Sequence, residues 1–131
     1  MVKVLDASAL LAYLEKEPGF EKVKDLLVKA AGSSKNLLMT AVNAGEVYYI
    51  IMKEYGVEEA EKILGLVKTF PIEFVSVDLA LARQAAQYKA EKNLPFVDCF
   101  AAALAKSQKA ELITKDKDFK AVEGDIKIVW I

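Results

Sequence analysis

The sequence predicts an α/β fold in which helices cover both faces of a five-stranded, mainly parallel sheet. Short apolar segments alternate with longer segments of helical periodicity in the order β-αα-β-αα-β-αα-β-α-β. Such alternation requires crossover connections, which make neighbouring strands parallel. The length of 131 residues suits one core, and no linker, repeat or low-complexity segment divides the chain. We therefore expect a single domain over residues 1–131.

The first part of the chain predicts one strand followed by two helices. Val2–Leu5 is an apolar strand that ends at a charged residue. Ser8 is expected to be the N-cap of a first helix, Ala9–Leu14, which ends before Pro18. Phe20–Ala31 is a second helix, because its apolar residues recur at helical spacing.

The middle of the chain repeats this pattern. Leu37–Thr40 is the second strand. Asn43, with Glu46 three residues later, resembles a capping box at the beginning of a helix that runs to Tyr55. An acidic first turn favours a further helix over Val57–Phe70.

The last part supplies three more strands. Ile72–Val77 is the third strand, and Asp78 is expected to cap an alanine-rich helix that runs to about Lys92. After an interruption at Pro95, the remaining elements are predicted from periodicity and turn residues. They are helix Phe96–Lys106, strand Glu111–Thr114, the helical turn Asp116–Ala121 and strand Ile126–Ile131.

The composition excludes several kinds of enzyme. Histidine is absent, and cysteine occurs once, as Cys99. These two facts exclude Ser-His-Asp and Cys-His nucleophilic triads, histidine general bases and zinc sites of the usual ligands. The six glycines do not cluster, so neither a P-loop nor a dinucleotide-binding loop is present. Enzymatic chemistry would therefore rest on carboxylates, hydroxyls, lysines and a hard metal ion.

The composition also predicts a cytoplasmic protein with no membrane segment. The apolar stretches are too short to cross a bilayer, and the first residues predict a strand, not a signal peptide. The single cysteine cannot form an internal disulfide, which suits a reducing compartment.

Acidic residues lie at the carboxyl ends of the predicted strands or early in helices that would pack beside them. In parallel α/β sheets this edge binds ligands. Each acid alone is explained by a solvated turn, a helix cap or a favourable charge in a first helical turn. Together they indicate a site, because buried carboxylates are costly unless they are paired or bound to metal, and hard oxygen ligands select Mg²⁺ or Mn²⁺. The four acids are Asp6, Glu46, Asp98 and Asp116.

Four segments, in order along the chain, resemble the motifs of PIN domains, and of VapC-type toxins in particular. They span residues 4 to 119 and are therefore a specific signal, whereas one such motif alone would be weak. The segments are Val4–Leu11 (VLDASALL), Asn43–Tyr49 (NAGEVYY), Leu94–Ala103 (LPFVDCFAAA) and Ile113–Phe119 (ITKDKDF).

This resemblance implies a sheet of order 3-2-1-4-5 and a divalent-metal ribonuclease that cuts single-stranded RNA. The four acids named above become its catalytic and metal-binding quartet. Four further residues are expected to support them: Ser8, Asn43, Thr114 and Asp118. Of these, Asn43 is equally well explained as a helix cap.

The mechanism expected from this set begins with Mg²⁺ or Mn²⁺ held by Asp6, Asp98 and Asp116. The cation would orient a water and lower its pKa so that it loses a proton, and the resulting hydroxide would attack a phosphodiester in line. Glu46 is expected to be a ligand of a second metal or a base that positions the water. Because water is the nucleophile, the products would carry a 5′-phosphate and a 3′-hydroxyl.

The resemblance also implies partners: an RNA substrate, a small antitoxin that docks across the site, and a second copy in a homodimer. Several apolar residues of the first and third helices could form such surfaces, although core packing explains most of them equally well. They are Leu10, Leu11, Tyr13, Leu14, Tyr48, Tyr49 and Met52.

Three alternatives stay open. A stand-alone PIN nuclease could act in RNA processing or on DNA. A phospho-accepting receiver module also gathers acids around Mg²⁺, but it needs adjacent acids after the first strand, where this chain has only Asp6. A toxin-like fold kept only for binding would not need all four acids.

Overall fold

A computed structural model describes all of residues 1–131 and contains one parallel sheet of five strands. The strand order is β3-β2-β1-β4-β5, and every neighbouring pair is parallel. The predicted fold class and strand order are therefore confirmed. The strands are β1 (Lys3–Leu5), β2 (Leu37–Thr40), β3 (Ile72–Val75), β4 (Glu111–Thr114) and β5 (Lys127–Trp130).

Six α-helices and one short 3₁₀ helix connect the strands. The 3₁₀ helix is Lys117–Val122 and follows β4. The α-helices are α1 (Ala7–Leu14), α2 (Phe20–Ala31), α3 (Ala41–Tyr55), α4 (Val57–Val67), α5 (Leu79–Glu91) and α6 (Phe96–Gln108). None of them is long and apolar enough to span a bilayer.

The central strands are buried on both faces of the sheet, which separates two hydrophobic cores. Successive side chains of a strand point to opposite faces. Val4 and Leu112 accordingly belong to the core beneath α5 and α6. Leu5 and Ile113 belong to the core beneath α1–α4. All four side chains are fully buried, as expected where a parallel sheet is covered by helices on both faces.

Two helix caps differ from the prediction. Asp6, not Ser8, is the N-cap of α1: its Oδ1 accepts a 2.9 Å hydrogen bond from the N–H of Ala9. Thr40, not Asn43, caps α3, with its Oγ1 accepting from the N–H of Asn43 at 3.0 Å. In both cases the last residue before the helix is still extended, so its side chain reaches the N–H three residues on. Each helix consequently begins two residues earlier than predicted.

The other predicted caps are correct. Asp78 Oδ1 accepts from the N–H of Leu81 at 2.9 Å and caps α5. Asp116 caps the 3₁₀ helix through a bond from the N–H of Asp118. The remaining differences are shifts of element ends, the largest in α4, which stops at Val67 instead of Phe70 because the chain turns there.

One ion-pair cluster joins the sheet at the edge opposite the strand ends that carry the acids. Glu111, at the beginning of β4, lies beside Lys3 of β1 and Lys127 of β5 in the strand register. Its carboxylate is 2.7 Å from the Lys127 ammonium and 3.6 Å from that of Lys3. The hydrogen bond from Lys127 lowers the pKa of Glu111 below its usual value.

We expect Glu111→Gln to lower the free energy of unfolding at pH 7 by about 1–2 kcal/mol, because both lysines lose a charged acceptor. A depressed carboxyl pKa stabilises the fold above the unfolded pKa of 4.5, and this contribution is lost as the pH falls through the folded value. Urea unfolding at pH 7 and pH 3 measures both effects. Glu73→Gln, an exposed glutamate of β3 outside any ion pair, is the control. Equal losses in the two variants would contradict the prediction.

Candidate metal centre

The acids predicted to form the site lie at one edge of the sheet, where β1, β2 and β4 end. Asp6 follows β1, and Asp116 follows β4 two residues after the strand ends. Asp98 lies in the first turn of α6, and Glu46 in the second turn of α3, the helix that follows β2. Parallel strands share their carboxyl edge, so the topology brings these distant positions together.

Hydrogen bonds hold the Asp6 carboxylate in one orientation. Its Oδ1 accepts from Ser8 Oγ at 2.8 Å and from the N–H of Ala9 at 2.9 Å. Its Oδ2 accepts from Thr114 Oγ1 at 2.6 Å and from Ser8 Oγ at 3.0 Å. An ionised carboxylate offers about four acceptor positions. Hydrogen bonds from within the protein therefore occupy most of the acceptor positions of the Asp6 carboxylate.

Ser8 and Thr114 also hold the loop that carries Asp116. Ser8 Oγ accepts from the N–H of Lys115 at 3.1 Å, and Thr114 Oγ1 accepts from the N–H of Asp116 at 2.9 Å. The two hydroxyls therefore link the end of β1 to the end of β4.

Asp98 has the least favourable surroundings for a charged carboxylate in the group. It is only 7% exposed, and its Oδ2 is buried without a hydrogen-bond partner. Burial first, and then the charges of Asp116, Asp6 and Glu46 in that order, raise the pKa of Asp98 to about 8. All four predicted acids are therefore close enough to interact electrostatically.

Two other acids have raised pKa values for the same reasons. Burial raises the pKa of Asp6 to about 6, although hydrogen bonds from Thr114, Ala9 and Ser8 oppose the rise. Burial and then the charge of Asp116 raise the pKa of Glu46, while a hydrogen bond with Asn43 opposes them.

Asn43 links two of the helices that carry acids. Its side chain is completely buried. Its Oδ1 accepts from Thr40 Oγ1 at 2.5 Å, and its Nδ2 donates to the carbonyl of Val97 at 3.3 Å. Because Val97 precedes Asp98, this amide connects the beginning of α3 to the beginning of α6.

Asp118 was predicted to support the site, and it lies next to two of the predicted acids. Carboxylate oxygens of Asp98, Asp116 and Asp118 all lie within 4.8 Å of one another. The apolar or polar character of the residues around Asp118 did not indicate this, because a 3₁₀ turn sets where the side chain lies. The only signal in the sequence was its distance of two residues from Asp116.

No basic side chain neutralises these acids. The structure has three ion pairs, and the one nearest in sequence joins Lys115 to Glu17 at 3.2 Å. Carboxylates at this separation must share protons or bind a cation. The set consists of hard oxygen donors, and Asp98 Oδ2 has a free acceptor position, so the residues fit a divalent ion such as Mg²⁺ or Mn²⁺.

The fold is similar to those of several solved toxin–antitoxin proteins. The DNA-bound VapBC2 complex of Rickettsia felis contains a chain that superposes with a TM-score of 0.79 at 17% identity, over 100% of this chain and 99% of that one. A chain of the DNA-bound VapBC of Salmonella typhimurium gives 0.77 at 18% identity, with 98% and 97% covered. VapC20 of Mycobacterium tuberculosis, a toxin that cleaves the sarcin-ricin loop, gives 0.73 at 18% identity, with 92% and 94% covered.

Sequence comparison identifies the family. No curated protein sequence matches the chain. The PIN domain family, however, matches residues 3–125, a range that includes every acid described above and all strands except β5. The chain therefore belongs to the PIN domain family.

Proposed function

We propose that this protein is a Mg²⁺- or Mn²⁺-dependent endoribonuclease and the toxin of a toxin–antitoxin pair. The observation that carries the proposal is the group of acids without a basic partner at the carboxyl edge of the sheet. A protein that keeps an unpaired carboxylate oxygen buried among other acids has a functional reason to do so more often than a structural one.

The proposed ligands differ in how free they are to bind a cation. Asp98 and Asp116 are the strongest candidates, since their carboxylates lie together and Asp98 Oδ2 accepts no hydrogen bond. Asp118 is a third candidate, because its carboxylate lies within 4.8 Å of those of Asp98 and Asp116. Asp6 can contribute an oxygen when one of its four accepted hydrogen bonds is released. A bound divalent ion would lower the pKa of a water and offset the charge that develops on the phosphate during hydrolysis.

The protein's own residues would orient the reaction. Ser8 and Thr114 fix Asp6 and, through the loop, Asp116. Glu46 is less buried than Asp98 and carries a raised pKa, so it is suited to accept a proton from the attacking water. Asn43 holds the helices of Glu46 and Asp98 at a fixed separation.

The substrate and partners are proposed from the similar structures. VapC20 is a toxin that cleaves the sarcin-ricin loop, and the VapBC chains are found in complexes. We propose that this protein acts in the cytoplasm and cleaves single-stranded regions of RNA. We also propose that it forms a homodimer and binds a cognate small antitoxin.

The deciding experiment is cleavage of a mixed RNA pool by the purified protein with Mn²⁺, with Mg²⁺ and with EDTA, followed by mapping of the ends. We expect cuts only with metal, leaving 5′-phosphate and 3′-hydroxyl ends. A DNA pool of matched sequences tests the choice of nucleic acid. Cyclic 2′,3′-phosphate ends would show that the 2′-hydroxyl is the nucleophile, and equal cutting in EDTA would show that no divalent metal is needed. Either result would refute the proposal.

A further inference from the structure

Helix α3 carries a stripe of residues that begins at the half-buried Glu46 of the acidic site and continues along the exposed helix surface away from it. Glu46, Tyr49 and Lys53 are spaced by three and four residues. At about 100° per residue they lie within a sector of roughly 60° on the helix surface. At a rise of about 1.5 Å per residue, Tyr49 is roughly one turn beyond Glu46, and Lys53 roughly one turn beyond Tyr49.

Tyr49 is an aromatic side chain with no partner. It is 52% exposed, its ring takes part in no aromatic pair and its hydroxyl makes no hydrogen bond. The neighbouring Tyr48 behaves differently: its hydroxyl donates to Glu61 of α4, and its ring packs against the core beneath α1–α4. Of the two tyrosines predicted together as a partner surface, only Tyr49 is free to bind another molecule.

Lys53 supplies a positive charge one turn further along the stripe. It is exposed and belongs to none of the three ion pairs. The stripe therefore offers a carboxylate at the acidic site, a free aromatic face and a free ammonium group. Only one of these three residues is apolar, whereas a stable protein interface has an apolar core depleted of charge. Single-stranded nucleic acid, in contrast, is bound by aromatic faces next to positive charges.

We propose that this stripe is the beginning of the path of the RNA strand, with Tyr49 stacking on an unpaired base beside the cleaved phosphodiester and Lys53 binding an adjoining phosphate. The inference rests on the proposed ribonuclease function and names its substrate-binding residues. It does not require a base of particular identity, because every base has a face on which an aromatic ring stacks.

The test compares Tyr49→Ala with Tyr49→Phe and with Tyr55→Ala on a single-stranded RNA that contains one mapped cut site. Tyr55 is a matched control: it lies on the same helix and is 55% exposed, but it is near Glu54 and Glu15 instead of the acidic site. We expect Tyr49→Ala to raise KM by about 5- to 150-fold, the equivalent of one stacked base, with kcat changed less than about threefold. Tyr49→Phe retains the wild-type KM, because the ring and not the hydroxyl binds the base, and Tyr55→Ala leaves it unchanged.

Two further measurements separate stacking from a general loss of affinity. Removing one base at a time from the RNA is expected to weaken wild-type binding at one position next to the cut, and the same abasic RNA should cost Tyr49→Ala nothing more. Lys53→Gln is expected to reduce the slope of log affinity against log salt by about 0.7, the value for one phosphate of a single strand.

Several results would overturn the inference. An unchanged KM in Tyr49→Ala, or the same abasic penalty in wild type and variant, removes Tyr49 from the path. A change in molar mass of Tyr49→Ala by light scattering would mean that a second copy covers the stripe. If the wild-type protein cuts no RNA, the proposed function fails separately, and fluorescence anisotropy with labelled RNA tests whether the stripe binds RNA. Binding that is absent, or equal in wild type and Tyr49→Ala, refutes the inference. Binding that is lost only in the variant supports it.

Discussion

Asp98→Asn is expected to abolish metal-dependent cleavage and, without metal, to make the protein more stable above pH 7. Cleavage falls by at least about 10³-fold, because the cation loses a carboxylate ligand and several kcal/mol of transition-state stabilisation with it. Stability rises because a neutral amide replaces a buried carboxylate whose pKa its acidic neighbours raise to about 8. We expect a gain of about 1–3 kcal/mol in the free energy of unfolding at pH 8, seen as several degrees in Tm.

The pH dependence distinguishes this explanation from a general effect of the substitution. The folded protein holds the proton of Asp98 up to about pH 8, whereas the unfolded chain releases it near pH 3.8. Stability from this group is therefore lost as the pH rises through that interval. The Tm difference between Asp98→Asn and wild type in EDTA should be smallest near pH 4 and grow towards pH 8 in favour of the variant. Asp25→Asn, on the exposed face of α2, controls for the loss of one charge. A variant that is less stable than wild type at pH 8 would contradict the assignment.

The sequence predicted that the four acids lie together better than it predicted the hydrogen bonds around them. Asp98 could be identified because its helix is apolar on every side, so that a carboxylate there needed a reason. The caps of α1 and α3 could not be assigned, because Asp6 and Ser8 are both suitable caps for α1, and Thr40 and Asn43 for α3. The residue that becomes the N-cap is the last one with an extended backbone, and the sequence does not show which residue that is. Asn43 was therefore predicted either as a cap or as a supporting residue of the site, and its link to α6 through Val97 depends on tertiary packing that spacing does not reveal.

Tertiary packing also separates side chains that are adjacent in sequence, and the sequence pattern does not show which of them is buried. Strand bounds such as Leu37–Thr40 and Glu111–Thr114 were predicted correctly, since both are short apolar runs between polar residues. Tyr48 and Tyr49, however, could not be separated by composition. About 100° of helical rotation places one against α4 and the other in solvent. The position of Asp118 beside Asp98 also follows from a 3₁₀ turn, which has no strong sequence signal.

Removing divalent metal is expected to destabilise the protein by an amount that grows with pH. With Mn²⁺ at about 100 times its Kd, the free energy of unfolding should exceed that in EDTA by about 2.7 kcal/mol at that pH. A fixed Mn²⁺ concentration should raise Tm more at pH 8 than at pH 6. The reason is competition between the metal and protons, because burial and neighbouring charges raise the pKa of Asp98 to about 8 and burial raises that of Asp6 to about 6. Thermal unfolding at several pH values measures the effect.

The proton balance of metal binding provides the stricter test. At pH 7 the Asp98 carboxyl is mostly protonated and that of Asp6 mostly ionised, so binding should release about one proton, and at pH 9 almost none. Calorimetric titration in buffers with different heats of ionisation counts these protons. In Asp98→Asn the proton release at pH 7 should disappear together with most of the affinity, whereas Asp25→Asn should behave as wild type. Metal binding that releases no proton at pH 7 would mean that the cation is held by exposed carboxylates elsewhere, and the site would then have to be reassigned.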